Sequence, residues 1–179
     1  MRGLVAIGFI WILCSGFAVD VTKVSDGDTL VAKDHNGKTY KVRLARVDCP
    51  EKNQPHGKEA AEFTRDLVMG DEVDLKIVGD AGWGRKLGEI TLPDGRNLSD
   101  WLVIEGHAWW YQLYAPADLN LEWYQDHAQR HRLGLWESDG PIPPWSWRRG
   151  ERQPAFGHPP YRATRLDWFV EARKQQGWR

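Results

Sequence analysis

Residues 26–51, DGDTLVAKDHNGKTYKVRLARVDCPE, constrain the fold more than any other stretch of this 179-residue chain. Thr29-Leu30-Val31 favours a strand, Asn36-Gly37 is a tight-turn signal, and 39–47 returns as a second strand, which predicts a β-hairpin. On the return strand Tyr40, Val42 and Leu44 alternate with Lys41, Arg43 and Ala45, turning Arg43 away from the apolar face. An antiparallel return brings the end of the second strand back to the start of the first. Asp28 and Asp48 therefore converge, although they are far apart in sequence. Two carboxylates at one end of a hairpin suit a hard divalent cation, which takes oxygen ligands. A third, Glu51, follows Pro50, whose ring fixes the turn. This is the chemistry of a metal-assisted hydrolase.

The rest of the chain supplies the elements around that hairpin. Residues 19–24 predict a first strand. Residues 55–69 predict a helix with Ala60, Phe63, Leu67 and Val68 on one face and Gly70 as its stop. In 72–78, Val73, Leu75 and Ile77 alternate with charged neighbours, as in a strand. The loop over 79–84 delivers Arg85 to another strand, 86–92, and Pro93-Asp94-Gly95 turns the chain. A short helix from Asn97 or Leu98 to Glu105 ends at Gly106, and 107–111 is aromatic and β-like. Asp118 is a good N-cap for a helix reaching Arg132, with Ala117, Leu121, Tyr124 and Ala128 as its apolar stripe. Short strands interrupted by helices predict an α+β chain, mainly β, built as a small and partly open barrel. Pro141-Ile142-Pro143-Pro144-Trp145 marks a break in composition. Beyond it, 141–179 reads as a Pro-, Trp- and Arg-rich extension with a further helix over 164–176.

With 41% hydrophobic and 27% charged residues the chain is a folded domain rather than a disordered one. Most of its eleven tryptophans are expected to pack the core or cover its surface. Residues 1–18 read as a targeting segment: Arg2 is positive, 4–13 is almost wholly apolar, and Gly16-Phe17-Ala18 offers a cleavage site after Ala18. That apolar run is shorter than the ~20 residues of a membrane span. Its removal leaves Cys49 alone, without an internal disulfide. The expected location is secreted or in the cell envelope, with no membrane contact after cleavage and a membrane anchor if the segment is retained. The net charge of −1 says little about partners, but from 148 onward eight Arg and Lys face three acids. Such a tail either attracts a polyanion or is simply solvated. No stable protein partner is evident. His127 and His131, one turn apart on a helix, lack the glutamate and third ligand of a zinc site and read as solvated. His56, His107 and His158 form no constellation.

The order DGDT, then VRL..VD.PE, then Gly84-Arg85 resembles the staphylococcal-nuclease (thermonuclease-like) family over roughly 21–136. The resemblance implies a five-stranded OB-fold barrel with about three packed helices, occupying 19–140. It implies Ca2+ held by Asp28, Asp48 and the backbone carbonyl of Cys49. It implies Glu51 as general base, whether by abstracting the proton of the attacking water or by orienting it. Arg43 and Arg85 match the arginines that grip the phosphate, where a planar, permanently charged fork serves better than lysine. Trp83, two positions before Arg85, matches a family aromatic that could stack on a base or sugar, and Tyr111 and Tyr114 could line the same pocket. The implied activity is calcium-dependent hydrolysis of DNA and RNA, single strands favoured, with little sequence specificity and 3′-phosphate and 5′-hydroxyl products. Two rival readings stay open, a non-catalytic OB-type nucleic-acid-binding module and a membrane-anchored scaffold. The presence of Asp28, Arg43, Asp48, Glu51 and Arg85 argues against the first.

Overall fold

The hairpin forms where its turn signal sets it, with Gly37 at φ 82° and Thr29 opposite Arg43 on the paired strands. The computed structural model describes residues 16–152. In chain order its elements are β1 (Phe17–Asp26), β2 (Thr29–Asp34), β3 (Thr39–Leu44), β4 (Val47–Asp48), α1 (Gly57–Val68), β5 (Glu72–Asp80), β6 (Lys86–Thr91), α2 (Leu98–Ile104), β7 (Trp109–Trp110), α3 (Leu119–Arg130) and α4 (Pro144–Arg148). A single 3-10 turn, Gly134–Glu137, precedes α4. Strands β1, β2, β3, β6 and β5 close in that order into a barrel. Every pair in it is antiparallel except β3 with β6, and this crossing of the last two barrel strands is the OB-fold arrangement.

The period-2 alternation holds through the barrel. Val19, Leu30, Val42, Leu44, Val73, Leu75 and Ile90 are no more than 2% exposed. Each such side chain contributes roughly 1.5–3 kcal/mol by leaving water. Asn97 caps α2 by accepting the Asp100 amide, and Asp118 caps α3 by accepting the Leu121 amide.

Three departures from the sequence expectation matter for the site. The return strand of the hairpin ends at Leu44 instead of running to Val47, because Arg46 adopts φ 70° and turns the chain. That conformation is uncommon for a non-glycine residue. Here it is held by the Arg46 guanidinium, which donates to Asn97, Asp100 and Asp118 at 2.8–3.0 Å. Val47 and Asp48 then pair with Trp110 and Trp109 in a separate two-stranded sheet. The first helix begins at Gly57, two residues late, because His56 sits at φ 69°. Thr64 is buried on that helix along with Ala60 and Val68, while Phe63 and Leu67 pack at the edge of the core. β1 starts at Phe17, so Phe17 and Ala18, read as the end of the targeting segment, lie opposite Leu75 and Asp74. The stretch after the Pro-rich break forms α4 and packs back, in keeping with the expectation that the tryptophans pack or cover the core: Trp145 meets Trp109 edge-on at 5.7 Å and stacks on Tyr111 at 5.3 Å. The targeting segment up to residue 15, His158 and the helix expected over 164–176 lie outside the described residues.

Candidate active site

Asp28 reaches the site from the turn between β1 and β2. Glycine at 27 lets that turn lie against its neighbours: a Cβ there would sit 2.7 Å from the Cys49 sulfur and 3.0 Å from the Ala60 methyl. The Gly27 carbonyl accepts the Thr64 hydroxyl at 2.7 Å, which ties the turn to α1. The Asp28 carboxylate accepts the Cys49 amide at 2.7 Å and the Thr29 hydroxyl at 3.2 Å. Asp48 is carried by β4, and its pairing with Trp109 fixes its direction. Both carboxylates meet on Arg43, whose Nη2 donates to Asp48 Oδ1 at 2.6 Å and whose Nη1 contacts Asp28. The convergence expected of the hairpin is present, and it is deep: Asp28 is 4% exposed and Asp48 1%. The Cys49 thiol is buried beside them, and burial pushes its pKa well up, so it remains a neutral thiol.

Glu51 stands at the rim, its side chain 35% exposed. Its loop closes on the start of α1, where any Cβ at Gly57 would collide with the Glu51 carbonyl oxygen. Gln54 accepts the Glu51 amide through Oε1 at 3.1 Å and donates through Nε2 to the Ile142 carbonyl at 2.6 Å. The Glu51 loop is thereby tied to the segment ahead of α4. That segment brings in Arg148, a residue with no sequence signal for this position. Arg148 donates to Asp48 Oδ2 at 2.7 Å, to Asp48 Oδ1 at 3.2 Å and to Glu51 Oε1 at 2.7 Å. Hydrogen bonding to Asp48 raises its pKa above the ordinary arginine value, and the Glu51 bond adds to this.

Arg85 is not drawn into this cluster. It donates to the carbonyls of Ala81 and Gly82 at 3.2 and 3.4 Å and pairs with no carboxylate among the described residues. Its guanidinium lies 5.4 Å over the ring of Trp83. Trp83 is 90% exposed and holds φ 51° between two glycines that are also left-handed. Tyr111 is committed to its stack on Trp145, whereas Tyr114 packs edge-on against Tyr111 and is otherwise open to solvent. His127 and His131 lie against each other on α3, with Trp123 stacked on His127. His56 and His107, unconnected in the sequence reading, meet at 3.0 Å between Nε2 and Nδ1, with Phe63 stacked on His107. Burial, reinforced by His56, pulls the His107 pKa down to about 4.

Three carboxylates, Asp28, Asp48 and Glu51, thus face two guanidinium groups, and one negative charge is left uncompensated. Buried carboxylates persist only with cations beside them. Asp28 and Asp48 offer the hard oxygen donors that a divalent cation takes, while no third Asp, Glu, His or Cys is placed to share such an ion with them among the described residues. Arg85, at the edge and free of acids, is suited to an anion.

A family model described as staphylococcal nuclease homologue matches residues 41–138. The chain belongs to the staphylococcal nuclease family. It is 36% identical over 146 residues to a protein of Escherichia coli O157:H7 described as an uncharacterized endonuclease, covering 81% of this chain and 94% of that one. It is 35% identical over 145 residues to a micrococcal nuclease of Shigella flexneri, covering 76% of this chain and 83% of that one. A Haemophilus influenzae protein, also described as an uncharacterized endonuclease, is 37% identical over 132 residues, 74% of this chain and 73% of that one. In this staphylococcal nuclease homologue the matched span holds Arg43, Asp48, Cys49, Glu51 and Arg85. Asp28 precedes it, in the turn between β1 and β2, and Arg148 follows it.

Proposed function

We propose that this protein is a nuclease that hydrolyses phosphodiester bonds of DNA and RNA, single strands favoured, with little sequence specificity. The relatives' descriptions as endonucleases and as a micrococcal nuclease support it. The observation that carries the reading is the buried Asp28–Arg43–Asp48 cluster with Glu51 at its rim.

Asp28, Asp48 and the backbone carbonyl of Cys49 are the proposed ligands of a calcium ion. The neutral state of the Cys49 thiol supports a carbonyl rather than a sulfur donor. When bound, such an ion supplies a Lewis acid for a phosphate oxygen. Arg43, fixed in the barrel wall, and Arg85, on a loop free of acids, hold the phosphate from two directions with planar charged forks. A donor of this kind contributes about 3–4 kcal/mol to the transition state. Glu51, exposed enough to meet water, takes its proton or orients it. Trp83, exposed beside Arg85, offers a face for a base, and stacking of this sort tolerates any sequence. Hydrolysis leaves 3′-phosphate and 5′-hydroxyl ends. The apolar run of residues 4–13 supports export to the cell envelope or beyond it.

The test is cleavage of single-stranded DNA by the purified protein with Ca2+ and again with EGTA, with end analysis of the products. Calcium-dependent fragments ending in 3′-phosphate are expected. Binding of DNA without calcium-dependent cleavage would instead make the protein a non-catalytic OB-type module.

A further inference from the structure

Arg148 saturates Asp48 from the solvent side while Arg43 reaches it from the barrel. Nη2 of Arg148 takes Oδ2 at 2.7 Å, its Nη1 takes Oδ1 at 3.2 Å, and Arg43 shares that Oδ1 at 2.6 Å. A carboxylate offers about four acceptor directions, so three donors leave little of Asp48 for another cation. The two arginines are held very differently. Arg43 grows from β3 and its side chain is 15% exposed, whereas Arg148 ends a five-residue helix and is 43% exposed. α4 is seated by Trp145 on Tyr111 and Trp109, by Trp147 Nε1 to Asn53 and, just ahead of it, by Gln54 to Ile142, and the Arg148 side chain reaches out from this seat into solvent. Of the two guanidinium groups, Arg148 is the one that can leave with less disruption.

We propose that Arg148 is a displaceable counter-ion of Asp48, competing with the divalent cation for the same carboxylate, so that cation binding and the seating of α4 oppose each other. The inference rests on the reading of Asp28 and Asp48 as calcium ligands. Linkage makes the opposition reciprocal: whatever calcium affinity the seated arginine removes, bound calcium removes from the seating of α4. Arg148 also holds Glu51, so its departure frees the base as the cation arrives. The helix after the Pro-rich break thereby acts as a cap on an idle site.

The experiment is a calorimetric calcium titration of the whole protein without nucleic acid, comparing wild type with Arg148→Ala, Arg148→Lys and Lys52→Ala. Arg148→Ala is expected to bind calcium at least fivefold more tightly. Arg148→Lys, which keeps the charge and loses the fork, should fall between it and wild type. Lys52→Ala removes an equal charge from an exposed neighbour of Glu51 and should stay within twofold. Unchanged or weaker binding by Arg148→Ala overturns the proposal, and so does an equal gain in Lys52→Ala, which would reduce the effect to bulk charge. Hydrogen exchange on wild type gives a second reading without any substitution. Amides of 145–152 should exchange faster once calcium is added, and unchanged or slower exchange overturns the proposal. A wild type that binds calcium and cleaves DNA, paired with an unaltered Arg148→Ala affinity, loses this inference alone. A wild type that binds no calcium loses the calcium reading and this inference with it.

Discussion

Two arginine–carboxylate clusters meet at Val47, one through Arg46 and the other through Asp48, and they are built inside out relative to each other. Arg46 stands at the centre of the first, with Asp100 and Asp118 at 2.8 Å and Glu89 at 3.8 Å. Its acids keep 18–28% of their side-chain surface in water. In the second the acids stand at the centre, Asp48 at 1% and Asp28 at 6% side-chain exposure, with Arg43 reaching them from the barrel and Arg148 from the solvent side. A cation ringed by half-wet acids is a rivet. Buried acids with one cation at the rim are the arrangement expected of a site, because the acids cannot be left bare and the rim cation is the one proposed to exchange. Arginine–carboxylate pairing by itself therefore does not mark function; which partner is buried does.

The largest expected effect comes from residues that touch neither rivet nor buried acid. Glu51→Gln should lower single-turnover cleavage of single-stranded DNA by two to four orders of magnitude, and Arg85→Ala by about two to three. Calcium affinity should move far less in both. Near-wild-type turnover in either variant removes the role assigned to that residue. Arg46→Ala should show the opposite pattern. It strands Asp100 and Asp118, and loss of such charge-assisted bonds costs roughly 2–3 kcal/mol in urea unfolding. Calcium affinity of the folded fraction should stay within about threefold. A large loss of calcium binding with little loss of stability would break the comparison and make Arg46 part of the site.

The smallest effect separates acid sensitivity of the fold from that of either cluster. His107 has a folded pKa of about 4 against an ordinary value of 6.5, chiefly through burial. The unfolded chain therefore binds the extra proton first as pH falls. The stability linked to His107 is fully present above about pH 6.5, declines as pH drops toward 4, and is flat below. Melting temperature measured across that window should fall in wild type and fall less steeply in His107→Gln. Equal slopes would return the acid sensitivity to the carboxylates.

Legibility in the sequence followed the range of the interaction. The hairpin could be read because Asn36-Gly37 and the alternation of β3 are local, and with it came the meeting of Asp28 with Asp48. The N-cap Asp118 could be read for the same reason. The break at Arg46 could not, since its partners Asp100 and Asp118 lie 54 and 72 residues away and nothing near Arg46 signals a left-handed turn. His56 and His107, 51 residues apart, carried no shared pattern. Arg148 is the extreme case, a hundred residues from Asp48 and one of eight basic residues in the tail. Composition marked the tail as positive without showing which charge returns to the barrel. Only the packing of Trp145 on Trp109 and Tyr111 decides that.

The wall between Gly27 and Cys49 gives the site a chemical clock. The sulfur lies sealed under the turn that carries Asp28, 3% exposed and with its proton held by burial. Alkylating reagents attack thiolate, and they must reach it. Cys49 is therefore expected to stay silent while it is buried and to react when its surroundings, the Gly27 turn among them, open. Its labelling rate counts those openings one molecule at a time, at the carboxylate proposed to hold the metal. Calcium that clamps Asp28 should slow the count.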